Sequence, residues 1–385
     1  MEQKFKILIF AHDSTLYGAT KSLLTLLDYW KKNHPEVEVL VLLPYKGILE
    51  DHFATSGISY KVVAFPRTDY PYKNQSFLYI LKLRRNYLKQ EKAAIVNISN
   101  IINDFQPDVI YTNTSVVGIG YEISKLFKIP FVWHIREFGW ADYRLKYLPS
   151  VRSQFKKVRN SNTIFISKIL QDHWIKNSKK KESKVIYNGF VEESVNHTMK
   201  EIPNEPIIGI LGTIMPGKGQ LEAIQAVEIL NKKGIKATLE IYGKASDRVY
   251  EAQLKSLLEN NRDINSYIKF CGFNENPKEI YDRISILLNC SRSEGFGRTI
   301  IEAMLENVPV VANNAGAIPE IIKDSYNGLV YEHTSESLAN KLELLINNKI
   351  LWKNITDNAF IFAKDNYSIK NYAESVLDFL KNKKK

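Results

Sequence analysis

The stretch Ser293-Glu294-Gly295-Phe296-Gly297-Arg298-Thr299-Ile300-Ile301-Glu302-Ala303-Met304 places two carboxylates eight residues apart around a glycine-containing turn. Ile286-Leu287-Leu288-Asn289-Cys290 before it reads as a short buried strand, and Pro309-Val310-Val311-Ala312 after it reads as the next. Between them Arg298–Glu306 fits one helix, with Ile300, Ile301 and Met304 on its apolar face. The amides of Gly295, Phe296 and Gly297 then stand at a helix start, where intrahelical partners are missing and the dipole favours negative charge. Such amides suit an anion or sugar hydroxyls. Glu294 in the turn and Glu302 in the second helical turn can each take a pair of vicinal hydroxyls, one pair from a sugar and one from a ribose. Two glutamates at this spacing also occur on ordinary loops and solvated helix faces. The glycines and the flanking strands carry the functional reading.

A second constellation lies upstream. Ile207–Gly212 reads as a buried strand, followed by Thr213-Ile214-Met215-Pro216-Gly217-Lys218-Gly219 and a helix over Gln220–Lys233. A lysine between two glycines at a strand-to-helix turn reaches a diphosphate as a point charge, with amides assisting. It is not a P-loop, because the Gly-x4-Gly-Lys-Ser/Thr spacing fails. In the first half, Phe5–Phe10 reads as a strand, the loop from Ala11 to Thr20 carries Gly18 and Ala19, and Lys21–Lys32 reads as helix. No Gly-x-Gly-x-x-Gly fingerprint is present, which argues against a dinucleotide site and an oxidoreductase. Asp108–Asn113 and Pro130–Glu137 read as strands with polar carboxyl ends, where ligands of open α/β sheets collect. That makes Asn113, Thr114, His134, Arg136 and Glu137 candidates.

The form Glu-Gly-Phe-Gly-Arg-Thr-x-x-Glu-Ala-Met over Glu294–Met304, with Lys218 and its glycines and with Asn188-Gly189, resembles the signature of the retaining glycosyltransferases of family 4. The resemblance implies the GT-B fold: two Rossmann-like domains facing across a cleft, with a C-terminal helix crossing back to the first. Residues 1–200 are expected as the acceptor-binding domain, 201–367 as the nucleotide-sugar domain and 368–385 as the returning helix. Val191–Pro206 reads as the linker. The resemblance puts Gly18, Thr213, Lys218, Gly219, Phe273, Glu294, Gly295, Phe296, Gly297, Arg298 and Glu302 on the donor. It makes His134 and Glu294 catalytic and leaves Asn113, Arg136 and Glu137 to the acceptor side. Asn274 and the turn Gly316-Ala317-Ile318-Pro319-Glu320 are further implied cleft residues. The chain departs from the family at Thr213, where an arginine normally precedes the lysine by five residues. Arg292 and Arg298 are the expected stand-ins.

Composition sets the outer limits. The chain has 385 residues, 44% hydrophobic, and a net charge of +11. The excess is one-sided: +12 in residues 1–200 and −1 in the remainder. A basic half suggests an acidic partner such as an anionic membrane surface or a lipid-linked phosphate. The run Phe77–Phe105, read as two helices, bears Lys82, Arg84, Arg85, Lys89 and Lys92 among Leu78, Leu81 and Leu88. It is a candidate basic amphipathic surface. The two cysteines, Cys271 and Cys290, read as buried thiols. No apolar run approaches a bilayer span, so a cytoplasmic protein, peripheral on the inner membrane face, is expected.

The function expected is a retaining, metal-independent hexosyltransferase without cofactor. It moves a sugar from a nucleotide diphosphate sugar to a glycan or lipid-diphosphate-linked acceptor in bacterial surface polysaccharide synthesis. Nucleic acid is not expected as a partner. Two other classes compete: a nucleotide-sugar epimerase of similar build, and a non-catalytic polyanion- or carbohydrate-binding protein. The donor's base and sugar, the acceptor and the linkage are not specified by the residues.

Overall fold

The computed structural model describes residues 4–16, 18–71, 76–176, 181–191 and 201–384. Two compact units divide the chain: Met1–Val191 with Ile369–Lys385, and Glu192–Ser368. The expected linker falls largely on residues 192–200, outside the described residues.

The first unit is built on seven parallel strands in the order β3-β2-β1-β5-β6-β8-β9. They are β1 (Phe5–Phe10), β2 (Val37–Leu43), β3 (Ser59–Val62), β5 (Val109–Asn113), β6 (Phe131–Ile135), β8 (Asn162–Phe165) and β9 (Ser183–Val185). A short antiparallel pair, β4 (Asp69–Pro71) with β7 (Leu145–Tyr147), stands apart. The strands β1, β5 and β6 are almost wholly buried, as their near-continuous apolar runs require when helices cover both faces of a parallel sheet. The helix Ile369–Lys381, far along the chain, completes this unit's core. Its Tyr372, Ala373, Val376, Leu377, Phe379 and Leu380 join the cluster formed by β1, β2 and the helix Gly18–Asn33. Trp30 Nε1 donates to Ala373 O at 3.0 Å, which fixes the seating.

The second unit carries six parallel strands in the order β12-β11-β10-β13-β14-β15. These are β10 (Ile207–Leu211), β11 (Thr238–Tyr242), β12 (Ile268–Gly272), β13 (Ile286–Asn289), β14 (Val310–Asn313) and β15 (Leu329–Tyr331). In both sheets the strand order reverses once, between β1 and β5 and between β10 and β13. The carboxyl ends flanking such a reversal diverge and leave a crevice, so ligand-binding loops belong there.

Two readings are corrected. Phe77–Phe105 is one helix of 29 residues, because no glycine or proline interrupts it; Ser76 caps its start by accepting from Tyr79 N. Cys271 is exposed, since β12 is the edge of its sheet, while Cys290 is buried. The last strand of the sheet, β9, ends at Val185, which leaves Asn188 free of the ladder for a side-chain role.

Candidate active site

In the second unit the turn after β10 and the turn after β13 meet at the strand reversal. Lys218 sits in the single 3₁₀ turn Pro216–Lys218, ahead of the helix Gln220–Lys232. Its Nζ donates to Glu294 Oε2 at 3.0 Å and to Ser291 Oγ at 3.3 Å. Two glycines make this approach feasible. Gly219 has φ +72°, and a Cβ there would lie 2.4 Å from Cys290 O. Gly316 has φ +56°, and a Cβ there would lie 2.3 Å from Glu294 O. An L side chain would thus be strained at both and would drive the turns apart. Ala317 N donates to Glu294 O at 2.8 Å and Arg292 N to Gly217 O at 3.0 Å, so backbone bonds tie the turns together.

Burial alone would raise the Glu294 carboxyl. The charge of Lys218, with hydrogen bonds involving Lys218, Ser291 and Asn289, outweighs it and holds the group below its ordinary pKa. The side chains of Lys218 and Glu294 keep 23% and 17% exposure, so the pair is open to exchange with a ligand.

Gly297 starts the helix Arg298–Leu305, its carbonyl accepting from Ile300 N at 3.0 Å. On that helix Glu302 is held on both oxygens. Arg298 Nη2 donates to Oε1 and Tyr281 OH to Oε2, each at 3.0 Å. Tyr281 comes from the helix Pro277–Arg283, and no spacing in the sequence singles it out. Phe296 is 3% exposed and edge-on to Tyr367 at 5.7 Å, so its side chain is core and only its backbone faces the turn.

Arg298, expected to stand in for the missing arginine, is committed to Glu302; Arg292 is exposed. Gln220 Nε2 donates to Thr213 O at 3.1 Å, and the nearest strand-end lysine in backbone pairing is Lys244. Its carbonyl accepts from Ile214 N at 3.0 Å, and its Nζ lies 4.7 Å from the Phe273 ring centroid. Phe273 is 40% exposed at the end of β12. Asn274 is occupied by its own turn, donating to Glu279 and accepting from Asn276 N.

The first unit brings its candidates together differently. Arg136 is buried and its hydrogen bonds go to neutral groups. Nε reaches Asn113 Oδ1 at 2.6 Å, Nη1 reaches Asn188 Oδ1 at 2.5 Å, and Nη2 reaches Tyr372 OH at 2.9 Å and His134 Nδ1 at 3.4 Å. His134 is fully buried, with Tyr111 OH 2.5 Å from Nδ1 and no hydrogen-bond partner on Nε2. Burial, reinforced by the charge of Arg136, keeps this imidazole well below its ordinary pKa and therefore neutral.

Glu137 accepts from Ser115 N at 2.5 Å and from the Ser115 hydroxyl. Burial pushes it up to about 7 despite the Ser115 bonds. His12, after β1, was not singled out from sequence; burial and then Arg67 bring it down to about 4. Thr114 adopts φ +80°, a left-handed conformation rare for a β-branched residue, between Asn113 and Ser115. Gly18 opens its helix as an exposed residue, and Asn113 Nδ2 donates to Ala19 O at 3.3 Å.

Residues 196–362 match the family described as Glycosyl transferases group 1. The poly(ribitol-phosphate) alpha-N-acetylglucosaminyltransferase of Staphylococcus aureus (strain COL) is 28% identical over 186 residues, covering 48% of this chain and 36% of that protein. The capsular polysaccharide biosynthesis glycosyltransferase CapM of Staphylococcus aureus is 26% identical over 215 residues, covering 51% of this chain and 55% of that protein. The chain thus spans about half or less of the length of these relatives. Among solved structures, Anabaena HepE in complex with UDP and glucose superposes with a TM-score of 0.77 at 21% identity, covering 98% of this chain and 99% of that one. The architecture is the GT-B fold.

Proposed function

We propose that the protein is a retaining glycosyltransferase of family 4 that uses a nucleotide diphosphate sugar and needs no metal. The observation that carries this reading is the Lys218–Glu294 pair at the β10/β13 reversal. A diphosphate competes with Glu294 for Lys218, and the carboxylate released by that exchange takes two hydroxyls of the donor sugar. Glu302, held by Tyr281 and Arg298, takes the ribose hydroxyls. The bond between the anomeric carbon and the β-phosphate oxygen breaks as the acceptor oxygen bonds to the same face. The acceptor proton passes to the departing diphosphate. Lys218 and the turn amides stabilise the charge that develops on that leaving group.

His134, Asn113, Arg136 and Glu137 are assigned to the acceptor side, His134 as the group beside the transferred sugar. In this structure Arg136 joins Asn113 and His134 by hydrogen bonds while Glu137 accepts from Ser115, which suits them to fix the β5 and β6 loop ends that an acceptor would meet. The acceptor fitting the basic first half is a phosphate-bearing glycan or lipid-linked chain. The name of the staphylococcal ribitol-phosphate enzyme supports that choice.

The test is the thermal shift of the full chain with UDP, GDP, ADP and CDP, with and without Mg²⁺, beside Glu302→Ala. A ligand that binds only the folded state raises the melting temperature by mass action. One selective diphosphate, indifferent to metal and weakened in Glu302→Ala, supports the transferase. Silence towards all four, with salt-sensitive binding of polyanions instead, overturns it.

A further inference from the structure

The helix Phe77–Phe105 has two apolar sides, and only one of them meets protein. Tyr87, Ala94, Ile98, Ile101 and Ile102 pack inward. In the first sixteen residues a second set points elsewhere. At 100° per residue, Phe77, Leu81 and Leu88 fall on one stripe, roughly a quarter turn from the buried side, with Leu78 beside it. Phe77 is 73% and Leu78 76% exposed, and Leu81 and Leu88 are exposed too. Arg84, Arg85 and Lys92 border this stripe by the same geometry, and Lys82 and Lys89 lie beyond Leu78. All five cations are exposed, and none forms an ion pair among the described residues. The one acid in the stretch, Glu91, is engaged by Tyr87 OH at 2.5 Å.

Water is a poor environment for this face. Bulky side chains this exposed, interleaved with unpaired cations along about 24 Å of helix, match an interface that is apolar inside and negative at its surface. We propose that Phe77–Lys92 is a docking surface for an anionic lipid bilayer. Phe77, Leu78 and Leu81 insert among the acyl chains, and Arg84, Arg85, Lys89 and Lys92 lie at the headgroup phosphates. The charge complementarity selects anionic over zwitterionic lipid. The apolar set selects a bilayer over a soluble polyanion such as RNA, which would engage the cations and leave Phe77 and Leu78 in water. The inference stands apart from the donor chemistry, since none of these residues lies in the unit that carries Lys218 and Glu294.

The experiment is co-sedimentation of the full chain with vesicles of phosphatidylglycerol and phosphatidylcholine in equal parts, and with phosphatidylcholine alone. Two variants are compared: Phe77→Ser/Leu78→Ser, and Arg84→Gln/Arg85→Gln/Lys89→Gln. All sites are exposed, and melting temperature checks folding. The expected result is binding to the anionic vesicles only. The charge variant weakens it roughly 100-fold, about fivefold per cation, and the apolar variant about tenfold or more. Absence of binding to anionic vesicles overturns the proposal, and so does binding unchanged in either variant. Loss in the charge variant alone, with equal affinity for RNA, also overturns it and marks a polyanion surface. Thermal shifts with nucleoside diphosphates stay unchanged in both variants, so failure here is separable from failure of the transferase reading.

Discussion

The two strand reversals of this molecule share a topology and differ in how they hold charge. At β10/β13 a lysine and a carboxylate face each other with partial exposure, linked by bonds a ligand can replace. Beside the β1/β5 reversal, at the carboxyl ends of β5 and β6, a guanidinium is sealed among two asparagines, a tyrosine and a neutral imidazole, and the neighbouring carboxyl is pushed up to about 7. An exposed ion pair is cheap to exchange, whereas a buried cation among neutral partners is costly to disturb. The same sheet plan therefore holds a partly exposed ion pair in one unit and a sealed cation in the other.

Four substitutions probe that contrast. Lys218→Ala removes the exchangeable charge, and sugar transfer should fall about 10²–10³-fold, the usual loss of one preorganised stabiliser. A rate within a few-fold of wild type would erase the distinction between the two reversals. Arg136→Met removes the donor that serves Asn113 Oδ1, Asn188 Oδ1 and Tyr372 OH. It should cost about 3 kcal/mol of stability while nucleoside diphosphate binding stays within twofold. An unchanged melting temperature would show that the sealed cation carries no load.

Glu137→Gln tests the raised carboxyl. Its folded pKa, about 7, lies above the ordinary 4.5, so the native state holds the proton more tightly. Its contribution is complete below about pH 4.5 and is lost as pH rises through about 7, amounting to roughly 3 kcal/mol. The glutamine variant should show a flatter fall of melting temperature between those limits; identical slopes would refute the shift. The smallest effect is expected of Tyr281→Phe, which removes one bond to Glu302. Nucleoside diphosphate affinity should drop about 2–10-fold with little change in kcat.

Much of the second unit was legible in the sequence because its chemistry is local. The Lys218 turn and the Glu294–Glu302 turn are each contiguous, and their glycines mark the conformations that let them meet. What could not be read were contacts made by the fold alone. Tyr281 reaches Glu302 from another helix, Lys244 adjoins Thr213 through neighbouring strand ends, and Tyr372 closes on Arg136 across 236 positions. Cys271 was misjudged because burial depends on whether a strand is central or at an edge. The Phe77–Phe105 run was divided where nothing divides it, because its exposed apolar side chains blur the helical period.

The helix Ile369–Lys381 has a consequence for how the protein comes into being. The segment Met1–Val191 of unit 1 leaves the ribosome before unit 2, yet its core lacks six side chains until the helix at positions 369–381 has been made. Unit 2 is continuous and can form as soon as it emerges. Domains generally mature in the order of synthesis, at about 5–20 residues per second. Here the later segment is the one that can settle first, because it needs no residue still to be made. For some tens of seconds the nascent first sheet waits with the Trp30 side of its core uncovered, which makes that interval the one in which a chaperone has most to shield.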